Sequence, residues 1–421
     1  MSPEPHLLST DEVAARLGIK PTTVYAYVSR GMLPSIRNAE GKGSLFAKPD
    51  VDAFVARRRR PTTPAIQTGI TLIKDGGLYY RGQDASLLAG SASFESVATL
   101  LWTGEREHVD LVPSAELKNL AVATVQPLPT GARTTDRLRV IVAAAAAADP
   151  LRFDTTPAAV IATARTLLAT MVAALPYAQG VTTGEVLRRE QGTVSLAELL
   201  WPRLTLRDPD PGPSASPSND AGPGTGIRTG AHKTLNAALI LLADHDIAAS
   251  TLAARVAAST RAHPYAVVSA GLAALDGPLH GAASGLAYAL LKDAMATGDP
   301  VTTIAARLRA DGMIPGFGHP LYPDGDPRAT TLMAMLDEGP VRDTATRLAK
   351  AVRDRSGTQP NIDFALAALT LQHDMPADAG EAIFAVARTA GWLAHALEEY
   401  SDRPSRFRPV GQYSGRIPSA G

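Results

Sequence analysis

The sequence predicts a mostly helical protein in two parts, a small basic head and a large helical body. Two observations carry this. From about residue 68 onward Ala, Leu and Arg recur at helical spacing, and β-branched alternation is rare. Within residues 6–60, helix starts and glycine stops follow one another at short intervals. The 421 residues, 45% of them hydrophobic, suffice for a large core and exceed one average domain.

The head is read first. Ser9-Thr10-Asp11-Glu12 has capping-box spacing, with Ser9 as N-cap and Glu12 reaching back. Val13, Ala14 and Leu17 form an apolar stripe, and Gly18 ends the helix. Lys20-Pro21-Thr22-Thr23 starts a second helix with Val24, Tyr25 and Val28 on one face, and Gly31 closes it. Helix, glycine turn, helix is the helix-turn-helix pattern. Leu33 to Arg37 and Leu45-Phe46, joined by Gly41-Lys42-Gly43-Ser44, read as a two-stranded wing. Pro49-Asp50-Val51-Asp52 opens a last helix that runs into Arg57 to Arg60, and Pro61-Thr62-Thr63-Pro64 reads as a linker. Residues 1–60 carry ten Lys or Arg against six Asp or Glu in a chain of zero net charge. That local excess points to nucleic acid, with Arg30, Arg37 and Lys42 as candidate phosphate contacts.

In the body, Gly69 to Gly82 reads as two short strands around Asp75-Gly76-Gly77, a hairpin signal. The longest apolar run, Val140 to Ala148, falls far short of a membrane span. Asp208 to Gly224, rich in Pro, Ser, Gly and Asp, reads as a floppy surface loop. The absence of cysteine excludes disulfides, zinc–thiolate sites and cysteine nucleophiles. Residues 1–6 show no basic region before an apolar run, so no secretory signal is expected. A cytoplasmic protein with no membrane association is the expectation.

Three polar stations carry chemistry. Gly316-Phe317-Gly318-His319 sets a histidine in a glycine-bracketed turn, and Arg328 follows nine residues later. Glycines let the backbone approach a ligand, a histidine can donate to a carbonyl oxygen, and an arginine can clamp a carboxylate with two parallel bonds. That equipment suits a small keto acid. Gly277-Pro278-Leu279-His280-Gly281 lies upstream and Pro360-Asn361-Ile362-Asp363-Phe364 downstream. Asn361 and Asp363 precede an apolar run, as a helix N-cap would.

These stations resemble the citrate synthase family. Further fragments in order extend the resemblance over roughly residues 68–416. They are Tyr79 to Gly82, Ser93 to Ala98, Leu100 to Glu105, Ala243-Asp244-His245-Asp246, Ala387 to His395 and Arg408 to Gly415. The head resembles the winged helix-turn-helix of the MerR and excisionase type.

The family resemblance implies an all-α fold with a large domain (68–276 and 376–421) and a small domain (277–375) around a cleft. The head (1–60) and a linker (61–67) precede them. It implies that oxaloacetate condenses with acetyl-CoA or propionyl-CoA, giving citrate or 2-methylcitrate and free CoA. Asp363 would be the base that takes the methyl proton, His280 would hold the thioester oxygen, and His319 would polarise the ketone. His245, Arg328 and Arg388 would bind the keto acid. Arg408 would do so in a partner's site, since family members are intertwined dimers. Gly316 and Gly318 would serve the CoA side. So would Arg353 and Arg355, in place of a lysine that relatives carry where Ser356-Gly357-Thr358-Gln359 stands here. Acyl-CoA is a substrate, and no metal or further cofactor is implied.

Two more departures touch that side: Ala282 where relatives often have glycine, and Pro320 with Pro323 where a basic residue is common. They leave open an alternative, a metabolite-sensing DNA-binding regulator whose body turns over poorly. A head that docks protein rather than DNA is a third reading. His6, His108, His232, His263, His373 and His395 read as structural or surface residues.

Overall fold

The computed structural model describes residues 7–17, 19–29, 32–37, 43–59, 66–178, 194–206 and 230–409. The chain divides into two compact units, Met1–Gln67 and Thr68–Gly421.

The first unit has helices α1 (Thr10–Leu17), α2 (Pro21–Ser29) and α3 (Lys48–Arg59) beside a three-stranded sheet. The capping box forms: the Ser9 amide donates to Glu12 at 2.7 Å, and the Glu12 amide donates to Ser9 Oγ at 3.3 Å. Strands β2 (Ile36–Arg37) and β3 (Ser44–Ala47) make the wing, antiparallel as expected. Strand β1 (Leu7–Ser9) pairs with the other edge of β3 and was not foreseen. Three residues are too few to show alternation. The core joins Val13, Ala14, Val24, Leu33, Phe46, Val51 and Phe54. Tyr25, expected on the same face as Val24, instead faces solvent.

The second unit opens with strands β4 (Thr71–Lys74), β5 (Gly77–Tyr80) and β6 (Gln83–Asp84), paired in that order. Asp75 (φ 50°) and Gly76 (φ 74°) both take positive φ, which is what a tight two-residue hairpin turn demands. Fifteen helices follow among the described residues. The chemistry sits around five of them: α10 (Ala231–Leu242), α11 (Ala249–Ser259), α13 (Ala283–Thr297), α17 (Ile362–Gln372) and α18 (Ala379–Ser401). Every residue of α18 from Ala379 to Ala396 is buried, including Glu381, Arg388 and His395. A helix buried on all faces lies at the heart of a large bundle, where any polar side chain must find a purpose. No helix among the described residues is long and apolar enough to cross a membrane. The Asp208–Gly224 stretch and the linker at 61–64 lie outside the described residues.

Candidate active site

Several separated segments meet at one cavity of about 620 Å³. His245, His280, His319, Arg328, Asp363 and Arg388 all line it. Leu279, Leu286 and Met313 add apolar wall and are exposed.

A backbone strap joins the His319 turn to the Asp363 helix. Phe317 and Pro360 form an isolated antiparallel bridge. The Gly318 amide donates to the Gln359 carbonyl at 2.8 Å, and the Asn361 amide to the Gly316 carbonyl at 2.9 Å. Gly316 sits at φ 84°, and a Cβ there would lie 3.0 Å from both Ala287 Cβ and Phe364 Cβ. Only glycine fits that position comfortably. Asn361 Nδ2 donates to the Gly318 carbonyl at 3.0 Å, while its Oδ1 accepts from the Asp363 amide at 3.0 Å. Asn361 is therefore the N-cap of α17, and the Asp363 carboxyl is released from capping. Asp363 Oδ1 is buried with no hydrogen-bond partner. Burial pushes this carboxyl up to about 7; Arg328 opposes the shift and Asp326 adds to it.

The two arginines differ. Arg328 gives its Nε and Nη2 to Asp326 at 2.9 and 2.8 Å, so the edge expected to clamp a ligand is occupied. A ligand carboxylate would meet its Nη1 side instead. Asp326 Oδ2 also accepts from the Ile362 amide at 3.0 Å, tying Arg328 to the first turn of α17. Arg388 is the less satisfied cation. Its Nε donates to the Leu242 carbonyl at 2.8 Å, but Nη1 and Nη2 are buried without a hydrogen-bond partner. Burial lowers its pKa to about 10, and Asp244 is the largest influence that holds it charged. A buried, unpaired guanidinium is costly, and a bound carboxylate relieves the cost.

The three histidines are held neutral, each chiefly by burial. His280 is lowered to about 4, His319 is lowered, and His245 lies well below the usual value. Their hydrogen bonds assign the protons. His280 Nε2 accepts from the Ser250 amide at 3.4 Å and meets Ser250 Oγ at 2.8 Å, which leaves the proton on Nδ1. His319 Nδ1 accepts from the Leu321 amide at 3.2 Å, which leaves the proton on Nε2. His245 Nε2 meets Tyr322 Oη at 3.0 Å, and its ring stands edge-on to His319 at 5.1 Å. Two neutral N–H donors and one unbonded carboxylate thus share a cavity.

The remaining predicted residues lie elsewhere. Arg408 is exposed. Arg353 is exposed in the last turn of α16 (Pro340–Ser356). Arg355 lines a separate groove with Val301, Leu308 and Lys350. Gly318 belongs to the strap and not to the cavity wall. In the head, Arg37 lies in β2, and Arg30 and Lys42 fall outside the described residues. Sequence reasoning assigned no role to Asp326, Ser250 or Tyr322, nor to Phe384, whose ring lies 4.6 Å beneath Arg388. Asp326 lies between His319 and Arg328, two residues before the arginine, and Ser250 lies in an Ala249-Ser250-Thr251 fragment that shares the family resemblance of the His245 station; neither was given a role of its own. Among the described residues no group of three or more His, Cys, Asp or Glu is placed to hold a metal ion.

The family model for the citrate synthase C-terminal domain matches residues 61–410, and a helix-turn-helix domain model matches residues 7–59. The chain belongs to the citrate synthase family. It is 28% identical over 356 residues to 2-methylcitrate synthase 2 of Corynebacterium glutamicum, covering 80% of this chain and 88% of the relative. It is 31% identical over 362 residues to the citrate synthase of Synechocystis sp., covering 81% and 86%. The fold matches the citrate synthase structure from Thermotoga maritima with a TM-score of 0.66 at 24% identity, over 85% of this chain and 96% of that one. The Thermoplasma acidophilum citrate synthase, solved as a ternary complex with carboxymethyl coenzyme A and oxaloacetate, gives 0.62 at 23%, over 85% and 96%. The second unit is thus an all-α citrate synthase body, a transferase of the citrate or 2-methylcitrate synthase type, carried behind a helix-turn-helix domain.

Proposed function

We propose that this citrate synthase family member condenses oxaloacetate with acetyl-CoA or propionyl-CoA through Asp363-mediated enolisation. The observation that supports it most is the meeting, in one cavity, of an unbonded Asp363 oxygen and the unbonded terminal nitrogens of Arg388. Arg388 and the Nη1 side of Arg328 take the two carboxylates of the keto acid, with His245 beside them. Asp363 then removes a proton from the carbon next to the thioester. Its pKa of about 7 suits a base working near neutral pH. His280 donates from Nδ1 to the thioester oxygen, where negative charge develops. The enol carbon attacks the ketone carbon, and His319 supplies the donor at the ketone oxygen. Hydrolysis of the resulting thioester releases the CoA thiol.

The cleft lies between a large domain (68–276 and 376–421) and a small one (277–375), and closure on the keto acid completes the acyl-CoA site. Gly316, Gly318, Arg353 and Arg355 serve the CoA moiety. The enzyme works as a cytoplasmic homodimer in which Arg408 reaches the partner's site, and it needs no cofactor beyond its acyl-CoA substrate. The test is to identify the tricarboxylate formed from oxaloacetate and each thioester by mass. Citrate or 2-methylcitrate supports the proposal, and neither product from folded protein contradicts it.

A second reading is favoured by the head. A helix-turn-helix unit with surplus positive charge suits DNA, and a dimeric body would present two heads to a palindrome. The body would then report metabolite occupancy to the head.

A further inference from the structure

We propose that His395 and Asp244 are positioning residues for the keto-acid pocket, through which one face of α18 holds His245 and Arg388 in a single register. The inference rests on the functional reading above.

Three consecutive residues that lead into His245 are each gripped by α18. Arg388 Nε donates to the Leu242 carbonyl at 2.8 Å. The Gly391 amide donates to the Ala243 carbonyl at 3.1 Å. His395 Nε2 meets Asp244 Oδ2 at 3.2 Å. Positions 388, 391 and 395 follow helical spacing, so they form one stripe of α18. A substrate arginine stands at one end of that stripe and a histidine at the other. The segment they grip ends in another residue of the site.

The bonding fixes the proton on His395. Arg255 Nη1 lies 2.6 Å from His395 Nδ1, and a guanidinium can only donate. Nδ1 therefore accepts, and Nε2 carries the hydrogen that points at Asp244. Both His395 and Asp244 are fully buried. Thr71 Oγ1 donates to the same Asp244 oxygen at 2.5 Å, whereas Oδ1 has no hydrogen-bond partner. That free oxygen abuts α18: a Cβ on Gly391 would lie 2.5 Å from it. Asp244 thus supplies negative charge near Arg388 without occupying its terminal nitrogens. Beyond His395, Arg255 is anchored in turn by Glu399 and Glu398. A buried charged chain of this length is a poor source of stability by itself, which argues for a role in geometry.

The experiment is calorimetric titration of oxaloacetate into the full chain, with melting temperatures measured alongside. The variants are Arg388→Ala, His395→Gln, His395→Leu and the isosteric Thr71→Val. Glutamine keeps a donor at the Nε2 position and an acceptor near Nδ1. The expected results are binding by the unsubstituted chain, loss in Arg388→Ala, weakening of about tenfold or more in His395→Leu, and near-normal affinity in His395→Gln. Thr71→Val is expected to weaken binding by a smaller factor. Should His395→Leu not fold, unchanged binding in Thr71→Val overturns the inference. It is equally overturned if His395→Leu binds normally, or if His395→Gln is as impaired as His395→Leu. If the unsubstituted chain does not bind oxaloacetate, the functional reading falls and this inference falls with it. If only Arg388→Ala weakens binding, the functional reading stands and this inference alone fails.

Discussion

Asp363 shows how a single side chain acquires its chemistry from its neighbours. Asn361 takes the capping duty, Asp326 holds the adjacent amide of Ile362, and the carboxyl is left buried with one bare oxygen. Its pKa rises to about 7 in the folded protein, so between the ordinary aspartate value and 7 the folded state holds the proton more tightly than the unfolded state. Folding therefore loses stability as pH rises through that window. Asp363→Asn is expected to be more stable than the unsubstituted chain at pH 8, with the gap closing toward pH 5, as read by denaturant unfolding. In turnover, kcat should fall as pH drops through about 7. Arg388 is the second such residue. Arg388→Ala should raise the KM for oxaloacetate by about a hundredfold while leaving that for the thioester near its original value, measured by steady-state kinetics. The sequence named both residues, because their motifs carry the family resemblance. It did not show that the clamping edge of Arg328 is spent on Asp326 and that of Arg388 is free. An aspartate two residues before an arginine looks the same in a sequence whether it caps, pairs or faces solvent.

At the level of elements, the strap between residues 316–318 and 359–361 does the assembling. Gly316→Ala places a methyl against Ala287 and Phe364 at a positive φ, so destabilisation of about 2 kcal/mol is expected in equilibrium unfolding. Loss of activity should exceed what that destabilisation explains, because His319 and Asp363 sit on the two sides of the strap. Gly391→Ala should show the same double effect, since the methyl would meet Ala243 and Asp244. The elements most legible in the sequence had a local chemical signal: the capping box at Ser9 and the hairpin at Asp75-Gly76. Strands β1 and β6, of three and two residues, had none and were set by pairing with β3 and β5. Tyr25 was misplaced because one helical turn assigns neighbouring positions to a face only coarsely.

The whole molecule combines a synthase body with a helix-turn-helix head. If the head grips DNA, retention of the full chain on a mixed-sequence duplex should fall steeply with added salt, and removal of residues 1–60 should abolish it. No retention on the duplex even at low salt would favour a protein-docking head. The body's function is the central claim, and the absence of cysteine makes it easy to read, since a thiol reagent sees only liberated CoA. The most direct measurement is the initial rate of thiol release with oxaloacetate and acetyl-CoA or propionyl-CoA, for the unsubstituted chain and for Asp363→Ala. The account predicts release with at least one thioester, falling by orders of magnitude in Asp363→Ala at unchanged fold. No release from the folded chain, or release that survives the loss of Asp363, would contradict it.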